Sequence, residues 1–146
     1  GDQRPQLDAK AMALGLTHQV QFSGSLNDQE LREAFEKCSV FVMPSRFGIK
    51  TNGTATGEGF GIVYLEAALA GRASIACDQG GQTDFIIDEE CGWLIPPEIS
   101  ALTSVLSNLL ENSEEIKRRG QLARARALEH FGRERFDQAL CRAIEV

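Results

Sequence analysis

Two carboxylates, Glu58 and Glu66, bracket the apolar stretch GFGIVYL, and the glycines Gly57, Gly59 and Gly61 crowd around the first of them. From Gly61 onward, Ile62, Val63, Tyr64, Leu65, Ala67, Ala68, Leu69 and Ala70 make a helical run that is apolar nearly all round. A helix of that kind is buried, so Glu66 is expected to be buried with it or to open onto a pocket. A buried carboxylate needs partners, because an unpaired one costs several kcal/mol. Protein cations, backbone donors and ligand hydroxyls all qualify. Glycine lets a ligand approach the backbone, and the free N–H groups and dipole of a helix N-terminus attract anions, phosphate above all. At about 1.5 Å of rise per residue, the two acids would stand roughly 12 Å apart along a helix axis. That matches the span from a sugar to a ribose across a diphosphate. One acid at each end could hold hydroxyls while the backbone holds the charge between them.

Two other glycine motifs fail on inspection. Gly57-x-Gly59 would need its third glycine where Ile62 stands to be a dinucleotide fingerprint. Gly48 and Gly53 have the spacing of a phosphate loop, but Thr54 stands where the lysine belongs.

The elements that must position these residues follow from patterning. LDAKAMALG reads as the end of a helix stopped by Gly15, and VQF (20–22) as a short strand. Asn27 caps a helix through QELREAFEKC, with Glu30 placed for a capping box. SVFVMP (39–44) reads as a strand buried on both faces and ended by a proline. SRFGIKTNGTATG (45–57) is a long loop, and loops of that length are functional or mobile. After the Gly57–Gly71 helix come a strand at 72–77, a Gly80-Gly81 turn with a short helix, a strand at 91–97, and two or three polar helices. Ser113 is the expected cap of the middle one. The alternation predicts an α/β fold with a parallel sheet, whose ligands sit at the carboxyl ends of the strands. FSGS, PSRFG…GEG and ACDQGG should gather there.

Length and composition suit one soluble domain spanning residues 1–146, with no span long enough to cross a membrane. A net charge of −6 argues against nucleic acid as a partner. Cys38, Cys77, Cys91 and Cys141 lack metal-type spacing and read as free thiols of a reducing compartment. The opening GDQRPQLDAK has no initiator Met and reads as mid-loop, so a piece of something longer is expected.

The ordered set FSGSLNDQELREAFEKCSVFVMPSR…EGFGIVYLEAALAGRASIACDQGGQTDFI…CGWLIPP resembles the donor-binding domain of retaining family 4 glycosyltransferases of the GT-B fold. The signature is Glu58, seven residues, Glu66, with Phe22-x-Gly24, Pro44-Ser45, Gly80-Gly81 and Gly92 in order around it. The resemblance implies a Rossmann-like sheet flanked by helices, the C-terminal half of the enzyme. It implies transfer of a hexose from a nucleotide sugar to a glycan, lipid or small-molecule acceptor, with retention and without a metal or other cofactor. Glu66 would bind the ribose hydroxyls. Glu58, on the hydroxyls of the transferred sugar, is the residue expected to be catalytic. The amides of Gly59, Phe60 and Gly61 would face sugar and diphosphate, and Gly24 and Ser25 the base. Ser45, Arg46, Gly80, Gly81 and Asp84 are further candidates. Asp84 stands where the family usually has Glu, and the 45–57 loop is longer than usual.

The basic pair that grips the diphosphate in the family is expected upstream of this chain, as are two strands, a helix and the acceptor-binding N-terminal domain. Arg46 and Lys50 are not assigned to that pair. The 146-residue chain alone is therefore expected to be inactive. A cytoplasmic location follows, with peripheral membrane contact a lesser expectation. Two other functions stay open: a non-catalytic sugar-nucleotide binding module, and a dinucleotide-dependent oxidoreductase, which the failed fingerprint disfavours. The blander readings are that His18 and His130 are surface residues, Trp93 is core, and EEIKRRGQLARAR is a solvated helix face that in a minor alternative meets anionic lipid.

Overall fold

The computed structural model describes residues 2–49 and 51–144 and divides into two compact units, Gly1–Leu31 and Arg32–Val146. Lys50 lies outside the described residues.

The first unit opens with helix α1, Arg4–Ala13, with Pro5 in its first turn, where a missing N–H costs nothing. Gly15 follows with a φ of 68°, the left-handed stop expected. The strand expected at 20–22 is absent. The Val20 amide donates to Leu16 O at 3.0 Å, and Phe22 O accepts from the Arg4 guanidinium, which also stacks 4.4 Å over the Phe22 ring. These backbone groups are held locally, so no ladder forms. Helix α2, Asp28–Lys37, starts with the predicted capping box: Glu30 N donates to Asn27 Oδ1 at 3.0 Å, and Asn27 N to Glu30 Oε2 at 2.8 Å.

The second unit is built on three parallel strands in the order β1 (Phe41–Met43), β4 (Ser74–Cys77), β5 (Gly92–Ile95). The central strand β4 is buried throughout, and successive residues serve opposite faces. Ala76 joins Tyr64, Ala68, Phe85, Ile86, Cys91, Ala123 and Ala127 on one side. Ile75 joins Ile95 and Leu109 on the other, with Trp93, Leu102, Val105 and Ile116 packed against them. Both faces are thus covered, the Rossmann-like α/β arrangement. Strand β1 departs from expectation: Val42 is exposed and takes no part in the cluster around Ile75, its register partner on β4.

The stretch expected as an irregular loop holds a short antiparallel ribbon, β2 (Gly48–Ile49) with β3 (Ala55–Thr56). Thr56 Oγ1 reinforces it by donating to Gly48 O at 3.1 Å. Helix α3 spans Ile62–Leu69 with Gly61 as its N-cap, where the apolar run begins, and is shorter than the outer bounds Gly57–Gly71. A single 3₁₀ turn, Gly81–Asp84, lies between β4 and β5.

Helices α4 (Ile99–Leu110), α5 (Ser113–His130) and α6 (Arg133–Ile144) follow. The cap of α5 is Asn112, whose side chain accepts from Glu115 N, not Ser113, which is the first helical residue. Nor is the charged run on α5 merely solvated. Gly120, Ala123 and Ala127 form a buried stripe of small residues, against which α3 packs. Arg119 is nearly buried too: it donates to Gly92 O at 2.6 Å and Glu115 at 2.7 Å, and stacks 4.4 Å over Trp93. Arg118 and Arg119 together hold the Glu115 carboxyl at about 2, well below its ordinary range.

Candidate functional site

Because β1 and β4 are adjacent and parallel, the segments that leave them emerge at the same end of the sheet, beyond the strands' carboxyl ends. Ser45 and Arg46 follow β1, and Asp78 to Gly81 follow β4. Glu58 to Gly61 lead from the ribbon into α3. Two backbone segments meet here in close contact. Gly81 N donates to Glu58 O at 3.2 Å, and a Cβ on Gly81 would overlap the carbonyl oxygen of Gly59. Only glycine permits that approach.

Gly61 is the N-cap of α3 at φ 80°, and a Cβ there would overlap the Tyr64 ring and stand 3.1 Å from Glu58 Cγ. Tyr64 in turn donates its hydroxyl to Met43 O at 2.6 Å, tying the first turn of α3 to the end of β1. Burial, reinforced by the nearby Glu58 charge, pushes the Tyr64 hydroxyl up to about 12. Gln82, wholly buried, donates to Cys77 O at 2.9 Å and to Gln79 O, and so braces the turn that carries Gly80 and Gly81.

Glu66 decides between the two alternatives left open for it. It is exposed, not buried, although the helix around it is apolar. Tyr64, Ala67 and Ala68 face the core, while Ile62, Glu66 and Leu69, spaced i, i+4, i+7, share the outward face. Helix α3 is short and packs against its neighbours on one side. The axial estimate of the acid spacing also falls, since residues 57–61 are not helical. Glu58 is half-buried. Neither carboxylate has a hydrogen-bond or ion-pair partner among the described residues. Of the first-turn amides of α3, Tyr64 N donates to Gly61 O at 2.9 Å, while those of Ile62 and Val63 precede any intrahelical acceptor, as at any helix start.

The other candidates divide. Gly59, Phe60, Gly61, Gly80 and Gly81 gather with Glu58. Phe60 also packs its ring 5.6 Å from that of Phe131. Asp84 is exposed, and its carbonyl accepts from Arg126 at 3.1 Å. Arg46 is exposed, and its charge acts on Cys77, whose thiol burial nonetheless raises. Gly24, with φ 72°, and Ser25 lie in a loop of the first unit. Sequence reasoning missed Tyr64 and Gln82: a tyrosine in an apolar run looks like core, and nothing marks a glutamine beside two glycines as buried.

Residues 1–126 match the family model described as glycosyl transferases group 1. The O-antigen chain mannosyltransferase C of Escherichia coli is 35% identical over 133 residues, covering 90% of this chain and 33% of that protein. Sucrose-phosphate synthase from Thermosynechococcus elongatus superposes with a TM-score of 0.82 at 25% identity, covering 99% of this chain and 34% of that one. Anabaena Alr3699/HepE, in complex with UDP and glucose, shares the fold with a TM-score of 0.80 at 22% identity, covering 99% of this chain and 36% of that one. The chain spans about a third of the length of the relatives it matches.

Proposed function

The chain belongs to the group 1 glycosyl transferases, and from that premise we propose that the protein transfers a hexose from a nucleotide sugar to an acceptor with retention of anomeric configuration. The observation that carries this reading is the pair of carboxylates without a partner among the described residues, Glu58 before the glycine-walled first turn of α3 and Glu66 beyond it on an open face. Unpartnered acids are free to accept from ligand hydroxyls. In this reading Glu66 takes the ribose hydroxyls and Glu58 those of the transferred sugar. The amides of Gly59, Phe60 and Gly61, with the first turn of α3, offset charge on the leaving diphosphate. Ser45, Arg46 and Gly80-Gly81 border the same space. The UDP and glucose of the Anabaena structure and the mannosyl activity in the Escherichia coli name support a hexose donor. No metal is needed, so transfer should survive EDTA. A cytoplasmic protein meeting membrane-bound acceptors at the periphery fits this reading.

Calorimetric titration of the full-length protein with UDP, GDP and ADP tests it. One nucleotide should bind, and Glu66→Ala should weaken it by about 1.5–3 kcal/mol, the loss of a charged hydrogen bond. Binding without any transfer would favour the non-catalytic module. Absence of binding by all three would sink the reading.

A further inference from the structure

The segment Gly59-Phe60-Gly61 has little of its own to hold it. Phe60 stands between two glycines, and a glycine backbone has more freedom than any other. On one side Gly81 N donates to Glu58 O at 3.2 Å, and on the other Tyr64 N donates to Gly61 O at 2.9 Å. The one side chain between these points is the half-buried Phe60 ring. What that ring packs against therefore sets where the amides of Gly59, Phe60 and Gly61 point.

It packs on Phe131, the C-cap of α5, with ring centroids 5.6 Å apart. Phe131 N donates to Ala127 O at 3.1 Å, so the helix end carries the ring. The same ring meets Phe85 edge-on at 5.3 Å, and Phe85 is the buried C-cap of the 3₁₀ turn that begins at Gly81. Earlier on α5, Arg126 donates to Phe85 O at 2.8 Å and to Asp84 O at 3.1 Å, with its guanidinium 5.8 Å from the Phe131 ring. The two backbone segments that touch at Gly59 and Gly81 are thus each held by the same helix end. Phe131 is 36% exposed and belongs to neither buried cluster, so its place is explained by these rings and not by core filling.

We propose that Phe131 is a positioning residue for the sugar and diphosphate end of the site: through Phe60 and Phe85 it fixes the amides of Gly59, Phe60 and Gly61 against the Gly80-Gly81 turn. It acts through Phe60 and touches no ligand. This rests on the transferase reading and deepens it, since that reading gives those amides the sugar and diphosphate.

The test is calorimetry on the full-length protein with UDP-glucose, GDP-mannose and ADP-glucose, and with UMP, GMP and AMP, which reach Glu66 through the ribose and leave the sugar end empty. Phe131→Ala should weaken the sugar nucleotide that wild type binds about three- to tenfold, the range of an aromatic pair, with the matching monophosphate unmoved. Phe131→Tyr, which keeps the ring, should bind as wild type does. Phe60→Ala should weaken the same ligand, and the double variant should be no weaker than Phe60→Ala, because one contact is lost only once. If Phe131→Ala does not fold, Phe131→Leu, which keeps apolar bulk without the ring, takes its place in each comparison. Additive losses in the double variant overturn the proposal, because Phe131 then does not act through Phe60. A monophosphate affinity that falls in step makes Phe131 a general support and overturns it as well. An unchanged sugar-nucleotide affinity overturns the proposal and leaves the transferase reading standing. A wild type that binds none of the three sugar nucleotides overturns both.

Discussion

The seam where Gly81 meets Gly59 and the ribbon that carries Phe47 flank the same carboxylate, yet they are specified in opposite ways. At the seam the chain omits side chains so that two backbones can touch, and the Gly81–Glu58 hydrogen bond follows from that proximity. On the ribbon the hydrogen bonds of the described residues stay within the ribbon, from backbone and from Thr56 Oγ1, and what it offers outward is side chains. The seam therefore holds shape and the ribbon is free to vary. A chain divided this way can keep its backbone geometry at the seam while the side chains of the ribbon change.

Substitution sharpens or breaks that contrast. Gly81→Ala should be the most damaging, since its methyl has no space beside Gly59 O; a loss of about 3 kcal/mol or more in urea unfolding is expected. Gly53→Ala, at φ 80° with open space around it, should cost only about 1–2 kcal/mol of backbone strain. Equal costs at the two positions would mean that the seam can open, and the contrast would fail. Gly120→Ala comes next. Alanine in mid-helix ordinarily stabilises by about 1 kcal/mol, but here the methyl would strike Gly71 O, so a net loss of about 1–3 kcal/mol is expected.

The Glu115 network should show itself through pH. Its folded-state value of about 2 lies below its ordinary 4.5, so the stability it contributes is present above the ordinary value and is lost as pH falls toward 2. The urea midpoint of the wild type should fall more steeply between those pH values than that of Glu115→Gln. Parallel curves would deny the network any role. Smallest of all, Phe47→Ala should move folding stability within about 0.5 kcal/mol, as for an exposed side chain with no buried partner.

Much of this was legible because local rules decided it. The capping box at Asn27 and Glu30, the stop at Gly15, and strands β4 and β5 are written in short-range chemistry and in runs of apolar residues. The spacing of Glu58 and Glu66 among glycines marked a candidate site. What failed depended on neighbours distant in sequence. VQF has strand composition, but a strand exists only where a ladder partner exists.

By itself, then, the sequence determined the α/β class, the positions of most helices and the carboxylate pair, since propensity, capping and periodicity act within a few residues. Tertiary structure alone decided that Glu66 faces outward and that Arg119 is buried over Trp93. It also decided that Gly81 lies on Gly59 and that Phe47, packed on Gly57, stays exposed. Burial is a property of what packs against a residue, and a helix apolar all round does not say which of its faces the rest of the chain will cover.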